Sequence, residues 1–199
     1  MITLKRLSVR KLQILGEAQK LIAQRGYKAT SMRDLARVLM IEPASLYSHF
    51  RSKEAILWEI AIRCANTFHE GIAPIVASDL AAPEKLERMI RRHLHLIIEQ
   101  IDASAIFFHE WEHLSNERQE RYIQLRNEYE GYFRAVLLEG IKEGTIREVE
   151  VRFTTRTLLS GVNWVHRWFR PDGRMTEEGI ADQLVKLLLH GLLQSNQTA

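Results

Sequence analysis

The sequence holds one cysteine, four prolines and ten glycines in 199 residues, and each scarcity removes a class of protein. Cys64 alone closes no internal disulfide, and a zinc site built on paired cysteines cannot form. Glycine and proline together supply about 7% of the chain against a usual roughly 12%, which is too little turn chemistry for a β-sandwich or a doubly wound sheet. No window reaches the ~18 uncharged apolar residues needed to cross a bilayer. The opening Met1-Ile2-Thr3-Leu4-Lys5-Arg6 leads into a polar helical pattern, not a signal-peptide core. What is present, 46% hydrophobic and 27% charged residues, suits an all-α globular chain, expected to be cytoplasmic and held together by packing alone.

Charge is unevenly spread. Residues 1–63 carry 12 Lys or Arg against 5 Asp or Glu, a net of +7, and the remaining residues carry a net of −4. A basic segment on a mildly acidic body suits a nucleic-acid-reading head attached to a separate partner domain, although a solvated basic face has the same composition.

The first sixty residues read as short helices with tight turns. Leu12, Leu15, Ala18, Leu21 and Ile22 recur at three- and four-residue steps within Val9–Arg25, and Gly26 follows as a helix terminator. Ser31 opens a second helix with Asp34 placed to complete a capping box, and Leu35, Ala36 and Leu39 form its buried side. After the turn Met40-Ile41-Glu42, Pro43 starts a third helix running to about His49, and Ser52 caps a fourth containing Ile56, Leu57, Ile60 and Ala61. Two short helices braced by longer ones form the layout of a helix-turn-helix, whose second short helix would enter the major groove. On that helix Leu46 and Phe50 share one face, which leaves Ala44, Ser45 and Ser48 outward as small groups that permit close approach. Tyr47, His49, Lys53 and the Thr30 hydroxyl are donors suited to phosphate oxygens, or alternatively, for Tyr47 and His49, to packing between helices.

The stretches Gly26-Tyr27-Lys28-Ala29-Thr30-Ser31-Met32-Arg33-Asp34-Leu35-Ala36 and Pro43-Ala44-Ser45-Leu46-Tyr47-Ser48-His49-Phe50-Arg51-Ser52-Lys53-Glu54 resemble the DNA-binding head of the TetR (tetracycline repressor) family. The resemblance implies a DNA-binding domain over 1–53 and a helical ligand-binding and dimerisation domain over 54–199. It also implies phosphate contacts by Thr30, Tyr47, His49 and Lys53 and base-facing positions for Arg33, Ala44, Ser45 and Ser48. Met40 stands where the family commonly places glycine, which leaves the geometry of that turn open.

Beyond Cys64 helical patterns fall near 84–101, 103–115, 117–143, 150–169 and 176–194. In the fourth of these, Phe153, Gly161, Trp164 and Trp168 share one face, and Leu158, Val162, Val165 and Phe169 another. A helix apolar on two sides must be covered twice, so a homodimer is expected, with Ile180, Leu184, Leu187, Leu188 and Leu192 joining the interface. Two heads on a two-fold axis would then meet a palindromic operator in successive major grooves about 34–36 Å apart, and an effector favouring another spacing would release them, with the fourth helix as lever. The segments Phe108–Ser115 and Asn163–Arg174 are similar to the branch of the family that answers to fatty acyl-CoA or aryl-CoA thioesters. That resemblance implies no bound cofactor but an acyl-CoA or aryl-CoA effector. Phe107, Phe108, Trp111, Tyr129, Phe133, Trp164 and Trp168 would serve its acyl or aryl part, and Asn163, Arg167 and Arg170 its polar part; Arg167, Arg170 and Arg174 read equally as solvated charges. A body that only dimerises, without effector, is the alternative.

One motif points elsewhere. His109-Glu110-Trp111-Glu112-His113 fits the H-E-x-x-H pattern in which two histidines one helical turn apart hold zinc beside a glutamate base, with Glu128 or Glu130 as a third ligand. No strand pattern offers the substrate cleft of a protease, and no enzyme activity is expected. His93-x-His95 is less informative, since alternate residues diverge on a helix.

Overall fold

A computed structural model describes residues 7–190, and among these the regular structure is helical. In chain order the helices are α1 (Val9–Arg25), α2 (Met32–Val38), α3 (Pro43–His49), α4 (Lys53–Val76), α5 (Ala82–Glu99), α6 (Ile101–His109), a 3-10 turn (Trp111–His113), α7 (Asn116–Lys142), α8 (Val151–Asn163), α9 (Val165–Trp168) and α10 (Glu177–Val185), followed by a π-turn over Lys186–His190. The last expected helix therefore changes character at Lys186, and its residues 191–194, Leu192 included, lie outside the described residues. Among the described residues no helix is long and apolar enough to cross a membrane.

Two compact units share the chain: residues through Glu70 with Gln100–Tyr129, and Gly71–Glu99 with Glu130 onward. α4 and α7 each contribute to both. The first unit thus holds more than the 1–53 expected of a DNA-binding domain. The reason lies in α1, whose buried Ile14, Leu15, Ala18 and Ile22 need a cover, and α6 packs on α1 to provide part of it.

Local chemistry sets the helix ends of the head. Gly26 ends α1 at φ 83°, and its N–H donates to the Ile22 carbonyl. The Ser31 hydroxyl accepts from the Asp34 amide, and the Asp34 carboxylate accepts from the Ser31 amide. At the end of α2 the Met40 amide donates to the Arg37 carbonyl and the Ile41 amide to the Ala36 carbonyl, the paired closure of a Schellman turn. Its closing residue, Met40, takes φ 52°, the left-handed conformation glycine adopts at little cost. The turn expected for a family glycine is thus formed by methionine, with the side chain 91% exposed, so no packing compensates the strain. In the second unit Gly144 closes α7 with the same pair of bonds at φ 72°.

In the second unit the sequence reading of one helix over 150–169 is corrected. α8 stops at Asn163, Trp164 caps it, and the short α9 follows. The two faces survive the break. Leu158, Val162, Val165 and Phe169 are buried, whereas Phe153, Gly161, Trp164 and Trp168 are exposed, Phe153 at 70% and Trp164 at 59%. Of the expected interface residues on the final helix, Ile180 is buried and Leu187 exposed.

α10 is held to α5 by polar contacts from Arg91 and His95. Arg91 pairs with Asp182 at 2.7 Å and with Glu87 at 2.9 Å, and His95 meets Glu177 at 2.7 Å. Two residues before His95, His93 points inward, so the two histidines do diverge as alternate helix residues must.

Candidate nucleic-acid interface and ligand residues

α3 begins at Pro43, which donates no amide where none is needed, and it is fixed by the fully buried Leu46 and by Phe50 just beyond its end. Ala44, Ser45, Tyr47 and Ser48 face outward, with Tyr47 half exposed, and His49 is half-buried. Arg33 is exposed on α2. These side chains form a face of small and hydrogen-bonding groups with no bulky apolar obstacle except the tyrosine ring, which suits approach to base edges and phosphates.

Thr30 and Lys53 are placed differently from the expectation. Thr30 is buried, and its hydroxyl donates to the Gly26 carbonyl at 2.9 Å, so that hydroxyl is engaged in holding the α1–α2 loop. The Lys53 ammonium donates to the Tyr27 carbonyl at 2.6 Å and the Thr30 carbonyl at 2.7 Å and lies 3.9 Å from the centre of the Tyr27 ring. Burial pulls its pKa below the ordinary lysine value, while the charge of Glu110 acts in the opposite direction.

The H-E-x-x-H segment is not a helical metal motif. α6 ends at His109, Glu110 takes a non-helical conformation, and Trp111–His113 form a 3-10 turn. Glu110 Oε1 accepts the Tyr27 amide at 3.1 Å, and Glu110 Oε2 stands 3.4 Å from His113 Nε2. The His113 ring stacks on the Tyr27 ring, centroids 5.1 Å apart. Both the glutamate and the second histidine thus serve the α1–α2 loop, and the one-turn spacing that zinc ligation needs is absent. Among the described residues no group of three His, Cys, Asp or Glu is placed to hold a metal ion. Close by, Glu54 at the start of α4 accepts the Ser115 amide at 3.0 Å and pairs with Arg118 at 3.1 Å, and the Ser115 bond first of all holds its carboxyl below the usual value.

The expected ligand residues fall into two groups, one in each unit. In the first, Phe107 packs against Phe108 and Tyr122, the Tyr122 hydroxyl donates to the Phe107 carbonyl, and Trp111 stacks parallel on Tyr122 at 5.3 Å. Tyr129 meets Phe68 and His69 edge-on. Cys64 and Ser104 are buried in the same unit, and burial pushes the Cys64 thiol up to about 12, which leaves it unreactive. In the second unit, His93 is buried and donates from Nε2 to Asn163 Oδ1 at 2.7 Å, with the Phe133 ring edge-on at 6.2 Å. Burial pushes the His93 pKa down to about 4, so the ring is neutral near pH 7. The Asn163 carbonyl also takes the ring N–H of His166, so one residue ties α5 to the α8–α9 break. Arg167 lies over the exposed Trp164 ring, and Arg170 donates to the Phe169 carbonyl. No local sequence signal identified Tyr27 or His93 for these roles. Their partners lie 83 and 70 residues away.

Comparison with known proteins places this geometry. Residues 14–60 match the model for bacterial regulatory proteins of the tetR family, and residues 79–192 match the tetracyclin repressor-like C-terminal domain. The chain is 35% identical over 188 residues, 93% of its own length and 92% of the other, to the HTH-type transcriptional repressor KstR2 of Rhodococcus jostii (strain RHA1). It superposes on the TetR family transcriptional regulator PfmR of Thermus thermophilus with TM-score 0.85 at 37% identity, covering 92% of this chain and 100% of that one. It superposes also on AibR, solved in complex with isovaleryl coenzyme A and operator DNA, with TM-score 0.84 at 30% identity, covering 90% and 98%. The outward face of α3, the Schellman turn before it and the helical body behind it thus belong together: the chain is a member of the TetR family, a DNA-binding transcriptional repressor.

Proposed function

We propose that the protein is a ligand-responsive repressor which binds a palindromic operator as a homodimer and is released by an acyl-CoA or aryl-CoA thioester. Residues 1–53 supply the DNA contacts, through Arg33, Ala44, Ser45, Tyr47, Ser48, His49 and Lys53, while Thr30 positions that lysine. Residues 54–199 supply dimerisation and effector binding. The exposed face of Phe153, Trp164 and Trp168 supports the dimer, since large apolar groups left in water are stabilised by a second copy related by a two-fold axis.

The likeness to AibR, whose structure holds isovaleryl coenzyme A together with operator DNA, is the observation that carries the effector class. The aromatic group around Phe107, within the first unit, would receive the acyl or aryl part. Release requires that the thioester bind the DNA-incompetent arrangement more tightly, because a ligand of equal affinity for both shifts nothing.

A duplex selected by the protein from a random 30-base-pair library, labelled and followed by fluorescence anisotropy, is the test. Titration with isovaleryl-, palmitoyl- and phenylacetyl-CoA, with free CoA as control, is expected to release the DNA for one thioester class. Tight binding unaffected by all three thioesters overturns the effector reading and leaves the DNA reading standing.

A further inference from the structure

Glu110 and Tyr27 form a contact that DNA recognition by itself does not explain. Tyr27 lies in the loop between α1 and α2, shortly before the Ser31–Asp34 capping box that starts the helix-turn-helix. Its amide is held by Glu110 Oε1, its ring by stacking on His113, and its carbonyl by Lys53, which also holds the Thr30 carbonyl. Glu110 is itself fixed by its place at the end of α6, where the helix gives way to the 3-10 turn, and its side chain is mostly buried. Glu54 and Arg118 add a second tie between the start of α4 and the start of α7.

We propose that Glu110, with His113, is a positioning residue of the DNA-binding head: the α6 terminus sets the α1–α2 loop, and through it the placement of Lys53 and the direction from which α2 and α3 depart. Glu110 touches no DNA in this account. Its effect on binding passes through the Tyr27 amide.

Electrostatics separates this role from the simpler ones. An acidic side chain near a DNA-binding surface repels phosphates, so deleting its charge alone strengthens binding. A positioning acceptor behaves oppositely when truncated, and a glutamine keeps the oxygen that Tyr27 needs while losing the charge.

The experiment compares the full-length protein with Glu110→Ala and Glu110→Gln on the library-selected duplex at two salt concentrations, alongside hydrogen exchange at the Tyr27 amide. Glu110→Ala is expected to weaken binding about tenfold, in line with loss of a charge-assisted hydrogen bond, with the slope of affinity against salt unchanged. Exchange at the Tyr27 amide rises in the same variant. Glu110→Gln is expected to bind at least as tightly as the parent and to keep the amide protected. Parent-like or tighter binding by Glu110→Ala overturns the proposal, and so does a Glu110→Gln variant as weak as the alanine. His113→Leu, which keeps bulk beside the Tyr27 ring, serves if Glu110→Ala does not fold; it is expected to bind more weakly by a smaller factor, and unchanged binding there also overturns the proposal.

Discussion

The outer faces of α3 and of the α8–α9 segment are both exposed, both backed by buried apolar residues, and chemically opposite. α3 turns Ala44, Ser45 and Ser48 outward over a buried Leu46, whereas α8–α9 turns Phe153, Trp164 and Trp168 outward over Leu158, Val162 and Val165. Small polar groups lose little by staying hydrated and permit close approach to a grooved, charged partner. Indole and phenyl rings in water each forgo stabilisation that an apolar cover supplies, at roughly 25 cal/mol per Å² of buried area. The same secondary structure therefore presents two surfaces of opposite chemistry, one that suits a hydrated, anionic partner and one that suits a second apolar face.

Removing what backs the α3 face has the largest effect. Leu46→Ala empties a fully buried site and is expected to cost about 3 kcal/mol in chemical denaturation, with loss of operator binding. On the other side, acid acts through His93. Its pKa is lowered in the folded protein, so the stabilisation is present above the unfolded value near 6.5 and is lost as pH falls from there toward about 4. The loss amounts to roughly 3 kcal/mol over that window, and His93→Gln should flatten this limb of the stability-against-pH curve in urea melts. An unchanged limb in the variant would remove His93 from the account.

Trp164→Glu tests the apolar face directly. Light scattering is expected to show the dimer weakened by at least tenfold, since a charge desolvated at an apolar contact is costly, with helicity retained because the side chain is exposed. The smallest effect belongs to the turn. Met40→Gly is expected to stabilise the first unit by about 1 kcal/mol by relieving the left-handed strain, offset in part by the greater freedom of glycine when unfolded. A drop in melting temperature would show that methionine at this turn has a compensating contact.

Much of the head was legible because its signals are local. Gly26, the Ser31–Asp34 capping box, Pro43 and Ser52 each set a helix end through neighbours within a few residues, and the buried pair Leu46 and Phe50 followed from spacing. The breaks at Glu110 and Trp164 were not legible, since neither carries glycine or proline and both stretches keep a helical pattern. What ends α6 is accompanied by a bond that Glu110 accepts from an amide 83 residues away, and what marks the end of α8 is a histidine on another helix reaching Asn163. Local patterns hold no trace of such partners. The same limit explains the site. Ser45, Ser48 and Arg33 stand outward as spacing implied, while the Thr30 hydroxyl and two N–H groups of Lys53 are engaged by loop carbonyls that only the folded chain brings near.

That α3 presents the DNA-reading face is tested most directly by Ser48→Asp, measured beside the parent by anisotropy on the library-selected duplex. The exposed position predicts an unchanged melting temperature and, from the carboxylate placed against phosphates and base edges, binding weakened about a hundredfold. A Ser48→Asp protein that folds and binds the duplex as tightly as the parent would contradict it.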